Sequence, residues 1–228
     1  MRRHIFNALA VAALGLIFAA VVADYGERRF LRPLAEFYVT RTSVELGSPN
    51  VVSGILAVWR GIDTLAAAAG LFTVILLMAA NGAEPPPRAA SASPEPPAGE
   101  IAETGAALLL PPLLLFAAYV ASSGHLSAGG GFQAGAIAAA GIALLVPARP
   151  QAALPAGALA IAASLAGAAC VVSGLSGVLF AGGILDARLS SKSGLGAFLS
   201  AGAIPVFSIL LAVGTGAALS AVIDRFRT

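Results

Sequence analysis

Two short stretches place polar side chains inside long apolar sequence. In residues 48–70, SPNVVSGILAVWRGIDTLAAAAG, Arg60 and Asp63 are three apart. That spacing puts them on one face of a helix. Ionisable groups within membrane spans are costly and mark ion or proton paths. Asp63 fits such a path, with Arg60 tuning its carboxyl. It fits equally a helix N-terminal charge at the interface, stabilised by the helix dipole. In residues 122–141, SSGHLSAGGGFQAGAIAAAG, His125 precedes Gly129, Gly130 and Gly131, and Phe132, Gln133 and Gly135 follow. Glycines permit close backbone approach and unusual dihedrals, and irregular backbone at membrane depth is tolerated where it lines a cavity. His125 and Gln133 then become candidates for a hydrated path. The alternative is an external loop, with His125 solvated and Gln133 helping to cap a helix. No Lys-Ser/Thr follows the glycines, so a phosphate cradle is not indicated.

Nothing else reads as a catalytic centre. The one cysteine, Cys170, lies in an apolar run, and the two histidines, His4 and His125, are far apart. Neither has metal-ligand spacing, so no metal, cofactor or catalytic residue is expected. The chain is not read as an enzyme.

The elements that must position these residues are membrane helices. Charged residues are 11% of the chain, against about 25% in soluble domains, and the mean hydropathy is +0.91. The basic residues are scattered and the net charge is +2, which does not suggest nucleic-acid binding. The expected fold is all-α: a polytopic integral membrane protein of about six transmembrane helices plus a short interfacial helix. The spans are read at 5–23, 62–80, 105–121, 132–147, 154–174 and 197–222. The first follows Arg2 and Arg3 and is read as a retained helix, not a cleaved signal. The compact basic ends place both termini on the cytoplasmic side. The interfacial helix is expected near 33–46, opening at Pro33. Asn50 is placed to cap the next helix, which needs a break or bend near Gly61 because 51–80 is too long for one straight span. Pro111 and Pro112 are expected to bend or break the third span. Recurrent small-xxx-small pairs, such as Gly131/Gly135 and Ala163/Gly167, suit close helix packing, within the chain or on partners.

Residues 81–104, rich in proline, alanine and serine, read as a linker. Three parts follow: 1–80 with two spans, the 81–104 linker, and 105–228 with four.

SSGHLSAGGGFQAGAI resembles the signature of the MnhB (MrpB) family, one of the membrane components of Mrp/Mnh-type multisubunit sodium/proton antiporters. Gly124, His125, Ser127, Gly129, Gly130, Gly131, Phe132, Gln133 and Gly135 match its usual form. Ala128 stands for a proline and Ala134 for a glycine. PNVVSGILAVWRGIDTL is similar to the small E-type component of membrane-bound hydrogenases and to the C-terminal end of the large A-type component of the antiporters. Asn50, Arg60, Gly61, Asp63, Thr64 and Leu65 are among the matches, and Ala67 replaces a glutamate. That leaves Asp63 as the nearest acid.

The resemblances imply a fusion of two neighbouring antiporter-module subunits. The implied function is an accessory subunit of a monovalent cation (Na+)/proton antiporter that helps form the ion path. Its implied partners are other antiporter-module membrane subunits, Na+ or H+, and lipid, in the cell's inner (plasma) membrane. Two alternatives stay open: the same module in a membrane-bound hydrogenase or related redox-driven pump, and a non-conducting scaffold, which the loss of the glutamate at Ala67 favours.

Overall fold

The structure is a computed structural model and describes residues 2–23, 26, 30–80, 99–149, 154–183 and 194–225. Most of the expected linker, 81–98, lies outside the described residues. Those described are mostly helical, with no strand among them. They divide into two compact units, 1–37 and 38–228.

The first unit holds α1 (Arg2–Ala23) and the opening turn of α2 (Pro33–Leu46). From Leu9 to Ala23 every residue of α1 is apolar or glycine. A helix apolar all round has no water-facing side.

The second unit begins within α2 and contains everything that follows. α3 (Val51–Gly54) runs directly into a π-helical turn, Ile55–Trp59. Then come α4 (Gly61–Ala80), α5 (Glu100–Ser123), α6 (Gly131–Ala148), α7 (Ala156–Ala181) and α8 (Ile204–Arg225). Helices α5 to α8 are each long and apolar enough to cross a membrane. The pair Val51–Trp59 and Gly61–Val74, bent by 79°, makes a fifth if counted as one span. The apolar stretch of α1, Leu9–Ala23, is shorter than these.

The expected break before Gly61 is present, and its cause is local. The Arg60 amide donates to Ile55 O at 2.7 Å, a five-residue π bond, and the next residue starts a new helix. A break leaves carbonyls without partners. Thr64 Oγ1 reaches back to Leu56 O at 2.6 Å and satisfies one of them.

Three readings are corrected. The break allowed for at Pro111 and Pro112 does not occur: α5 is a continuous helix from Glu100 to Ser123. Each proline removes one N–H, but membrane helices tolerate that when neighbours and small local adjustments compensate. The third span also begins at Glu100, inside the stretch read as linker. Glu100 and Glu103 occupy its first turn, where carboxylates favour the helix dipole. The sixth span begins at Ile204, not 197, because 194–203 forms successive turns closed by bonds such as Ser200 N to Ala197 O.

α8 is the centre of the unit: α4, α5, α6 and α7 all pack against it. Small residues make this possible. A Cβ on Gly131 would fall 2.5 Å from Ser208 O, and one on Gly135 would fall 2.6 Å from Thr215 Cβ. Phe72 of α4 lies between Gly167 of α7 and Gly214 of α8, within 3 Å of where either Cβ would stand. The small-xxx-small pair Gly131/Gly135 is therefore used within the chain. Dispersion between closely approaching backbones, not a hydrophobic drive, holds such helices in lipid.

Candidate functional site

The two sequence motifs meet. α3 starts at Asn50, whose Oδ1 accepts from the amides of Val52 (3.0 Å) and Ser53 (3.3 Å). The same side chain donates through Nδ2 to Gly124 O at 2.7 Å and Ser127 O at 2.6 Å. Ser53 Oγ also donates to Gly124 O. Ser48 Oγ and the Asn50 amide both donate to His125 O, at 2.9 and 3.1 Å. The front segment thus satisfies the loop carbonyls that α5 leaves exposed as it ends. Buried backbone groups must find such partners.

The glycines of the loop are there for backbone reasons. Gly129 and Gly130 have φ of +155° and +154°, a region that side-chain-bearing residues rarely enter. A Cβ on Gly124 would stand 2.9 Å from Gly130 N. The chain therefore folds back on itself before α6 begins.

Around this turn lies a cavity of about 40 Å³. His125, Gly129 to Gly131, Phe132 and Gln133 line one side of it, and Ser53, Leu56 and Thr64 another. α8 closes it with Ile204, Phe207, Ser208 and Leu211. His125 is 1% exposed, and its ring meets Phe198 edge-on at 6.1 Å. The reading of His125 as a solvated loop residue is therefore overturned: the clasp from Ser48 and Asn50 pulls the loop inward. Neither ring nitrogen makes a well-formed hydrogen bond with a described residue. Burial lowers the His125 pKa below the usual histidine value, against a smaller opposing pull from backbone groups of Ala197, Phe198 and Ser122. Burial thus favours the neutral ring. Gln133 is exposed, and its amide oxygen lies 3.0 Å from where a Gly130 Cβ would stand.

Arg60 and Asp63 are elsewhere. They pair with each other at 2.5 Å, with side chains 62% and 56% exposed. Neither lines the cavity. Asp63, Ala67, Gly70 and Val74 form an exposed face of α4. The structure thus brings Asn50, Thr64, His125 and Gln133 to one place and leaves Arg60 and Asp63 on the outside. Gly61 is buried at the helix break, and Gly135 faces Thr215. Ser48, Ser53 and Ser208 were not singled out from the sequence. Ser48 and Ser53 flank Asn50 in a polar run before an apolar helix, a signal that was available. Ser208 is one hydroxyl in an apolar span and carries no such signal.

No curated protein matches the chain by sequence. Among solved structures, the chain is similar to one in the membrane-bound sulfane sulfur reductase (MBS), an archaeal respiratory membrane complex. The identity is 26% and the TM-score 0.79, over 99% of this chain and 98% of that one. It also shares its fold with a chain of the Mrp complex from Dietzia sp. DQ12-45-1b, at 24% identity and TM-score 0.70. That match covers 99% of this chain but 26% of the other. The family model described as a domain related to the MnhB subunit of the Na+/H+ antiporter matches residues 101–220, from α5 into α8, and includes the clasped His125 loop. This polytopic helical chain therefore belongs to the MnhB-related family.

Proposed function

We propose that the chain is an accessory membrane subunit of a multisubunit monovalent cation/proton antiporter, and that it contributes to the ion path without turnover of its own. The observation that carries this reading is the convergence of both motifs on one partly polar cavity, within an MnhB-family fold. Arg60, Asp63, His125 and Gln133 are the candidate path residues. The exposed Arg60–Asp63 pair supports a path shared with another subunit, because charged groups in membranes face protein or water and not lipid. The cell's inner membrane is the proposed location.

A second reading is supported by the MBS neighbour, which matches nearly end to end. In this reading the same module serves a respiratory-type complex, and redox centres on other chains drive the ion movement. That neighbour also carries the front and back parts in one chain, as this protein does.

Purification of the tagged protein from native membranes in mild detergent, with mass spectrometry of what accompanies it, tests both. Large antiporter-like subunits alone support the first reading. The same subunits with nickel–iron or iron–sulfur proteins support the second, and a chain with no partners sinks both. Within the intact complex, Asp63→Asn is expected to lower cation/proton exchange in membrane vesicles by about tenfold, equivalent to about 1.4 kcal/mol. Its effect on stability stays within about 0.5 kcal/mol, because the pair is exposed. Unchanged exchange with normal assembly removes Asp63 from the path.

A further inference from the structure

The cavity at His125 holds polar groups for which no described residue supplies a well-formed hydrogen bond. His125 Nδ1 and Nε2 and Ser208 Oγ are buried without a hydrogen-bond partner among the described residues. His125 is 1% exposed and Ser208 8%. Burying such groups alone costs about 1–3 kcal/mol each, and ordered water is the usual relief. There is room for it. A water needs about 10–15 Å³ of such space, and the cavity of about 40 Å³ takes about three.

The lining also discriminates between ions. None of its residues is charged, and no carboxylate is among them. A hard cation seeks several oxygen ligands, usually including carboxylates, and the cavity offers few. An imidazole and a hydroxyl, by contrast, both donate and accept protons.

We infer that this cavity is a water-filled proton site, distinct from the Arg60–Asp63 face, in which His125 exchanges protons with waters held by Ser208. The inference rests on the proposed antiporter-type role and assigns one of its two ions to one place. The neutral ring accepts a proton from a protonated water on one nitrogen and becomes imidazolium. It then releases a proton from the other nitrogen to a second water. No electron moves, and the ring is left neutral in the other tautomer.

Hydrogen–deuterium exchange at the imidazole C2 position, read by mass spectrometry on the peptide containing His125, tests this in the intact complex. Histidines of other subunits fall in other peptides. Wild-type His125 is expected to exchange at a rate within about tenfold of the same peptide free in solution. Ser208→Val, which fills the cavity, slows it at least about tenfold further, and Ser208→Thr, which keeps the hydroxyl, does so less. Thr215→Val removes another buried hydroxyl outside the cavity lining and leaves the rate unchanged. A wild-type His125 that does not exchange is dry, and the inference falls. It also falls if cation/proton exchange is the same in wild type, His125→Gln and Ser208→Ala complexes that assemble normally. A wild-type complex with no cation/proton exchange counts against the antiporter reading instead, and the C2 rates still decide whether the cavity holds water.

Discussion

The Asn50 clasp and the outer face of α4 derive from one stretch of sequence, yet they are treated in opposite ways. At the clasp, Ser48, Asn50 and Ser53 turn inward and hydrogen-bond the carbonyls of Gly124, His125 and Ser127. Ten residues later, Arg60 and Asp63 pair with each other on an exposed face. The first set is complete within the chain. The second is left for whatever covers α4. The bend between them, at Arg60, separates a region that builds the protein's own fold from one that is available to a partner.

Four substitutions break or sharpen that contrast. Asn50→Ala removes two donors to loop carbonyls and the α3 cap. At about 1 kcal/mol for each bond and for the cap, the loss is about 3 kcal/mol. A large drop in the unfolding temperature of the purified complex is the readout, and a drop no larger than that of Asp63→Asn would erase the contrast. Gly135→Val drives a side chain against Thr215 and the backbone at Gly216. Overpacking of this kind costs about 1–3 kcal/mol, measured by the same unfolding.

A smaller effect comes from pH. The His125 pKa is lowered on folding, so at mildly acidic pH the unfolded chain binds more protons than the native one. Its contribution is complete above the unfolded histidine value, about 6.5, and is lost as pH falls through the lower folded value. Stability therefore falls on acidification, and His125→Gln flattens that limb. A variant whose unfolding keeps the wild-type pH slope would place the responsible group elsewhere.

The smallest effect on the chain itself belongs to Gly70→Leu. No described residue lies within 4 Å of a Cβ there, and leucine is the better helix former by just under about 1 kcal/mol. The protein keeps its stability or gains slightly. A partner packed closely on that face is displaced, so co-purification should fall. Unaltered assembly would show the face to be lipid-covered.

Much of this was legible beforehand. The α2 bounds follow from Pro33 and Gly47, and the Asn50 cap from its place before an apolar run. The break before Gly61 follows from span length, and α6 from the apolar run after the glycines. The readings that failed were local rules that packing overrode. Pro111 and Pro112 lie within an unbroken α5 because a membrane helix tolerates a lost N–H where neighbours and small local adjustments compensate. His125 reads as a solvated loop residue because nothing in its neighbours predicts Ser48 and Asn50, more than seventy residues away.

Composition and periodicity determined the class of this protein: a chain with so few charges must bury its backbone polar groups in helices, and its motif residues were visible as polar exceptions to the apolar pattern. The partners of those residues could not be read in the same way. Which glycines face α8, which carbonyls Asn50 satisfies, and that Ser208 shares a cavity with His125 while Asp63 does not, all depend on contacts between distant segments. Hydropathy is a property of each residue and its near neighbours, whereas satisfaction of a buried polar group depends on what the whole fold brings within about 3 Å of it.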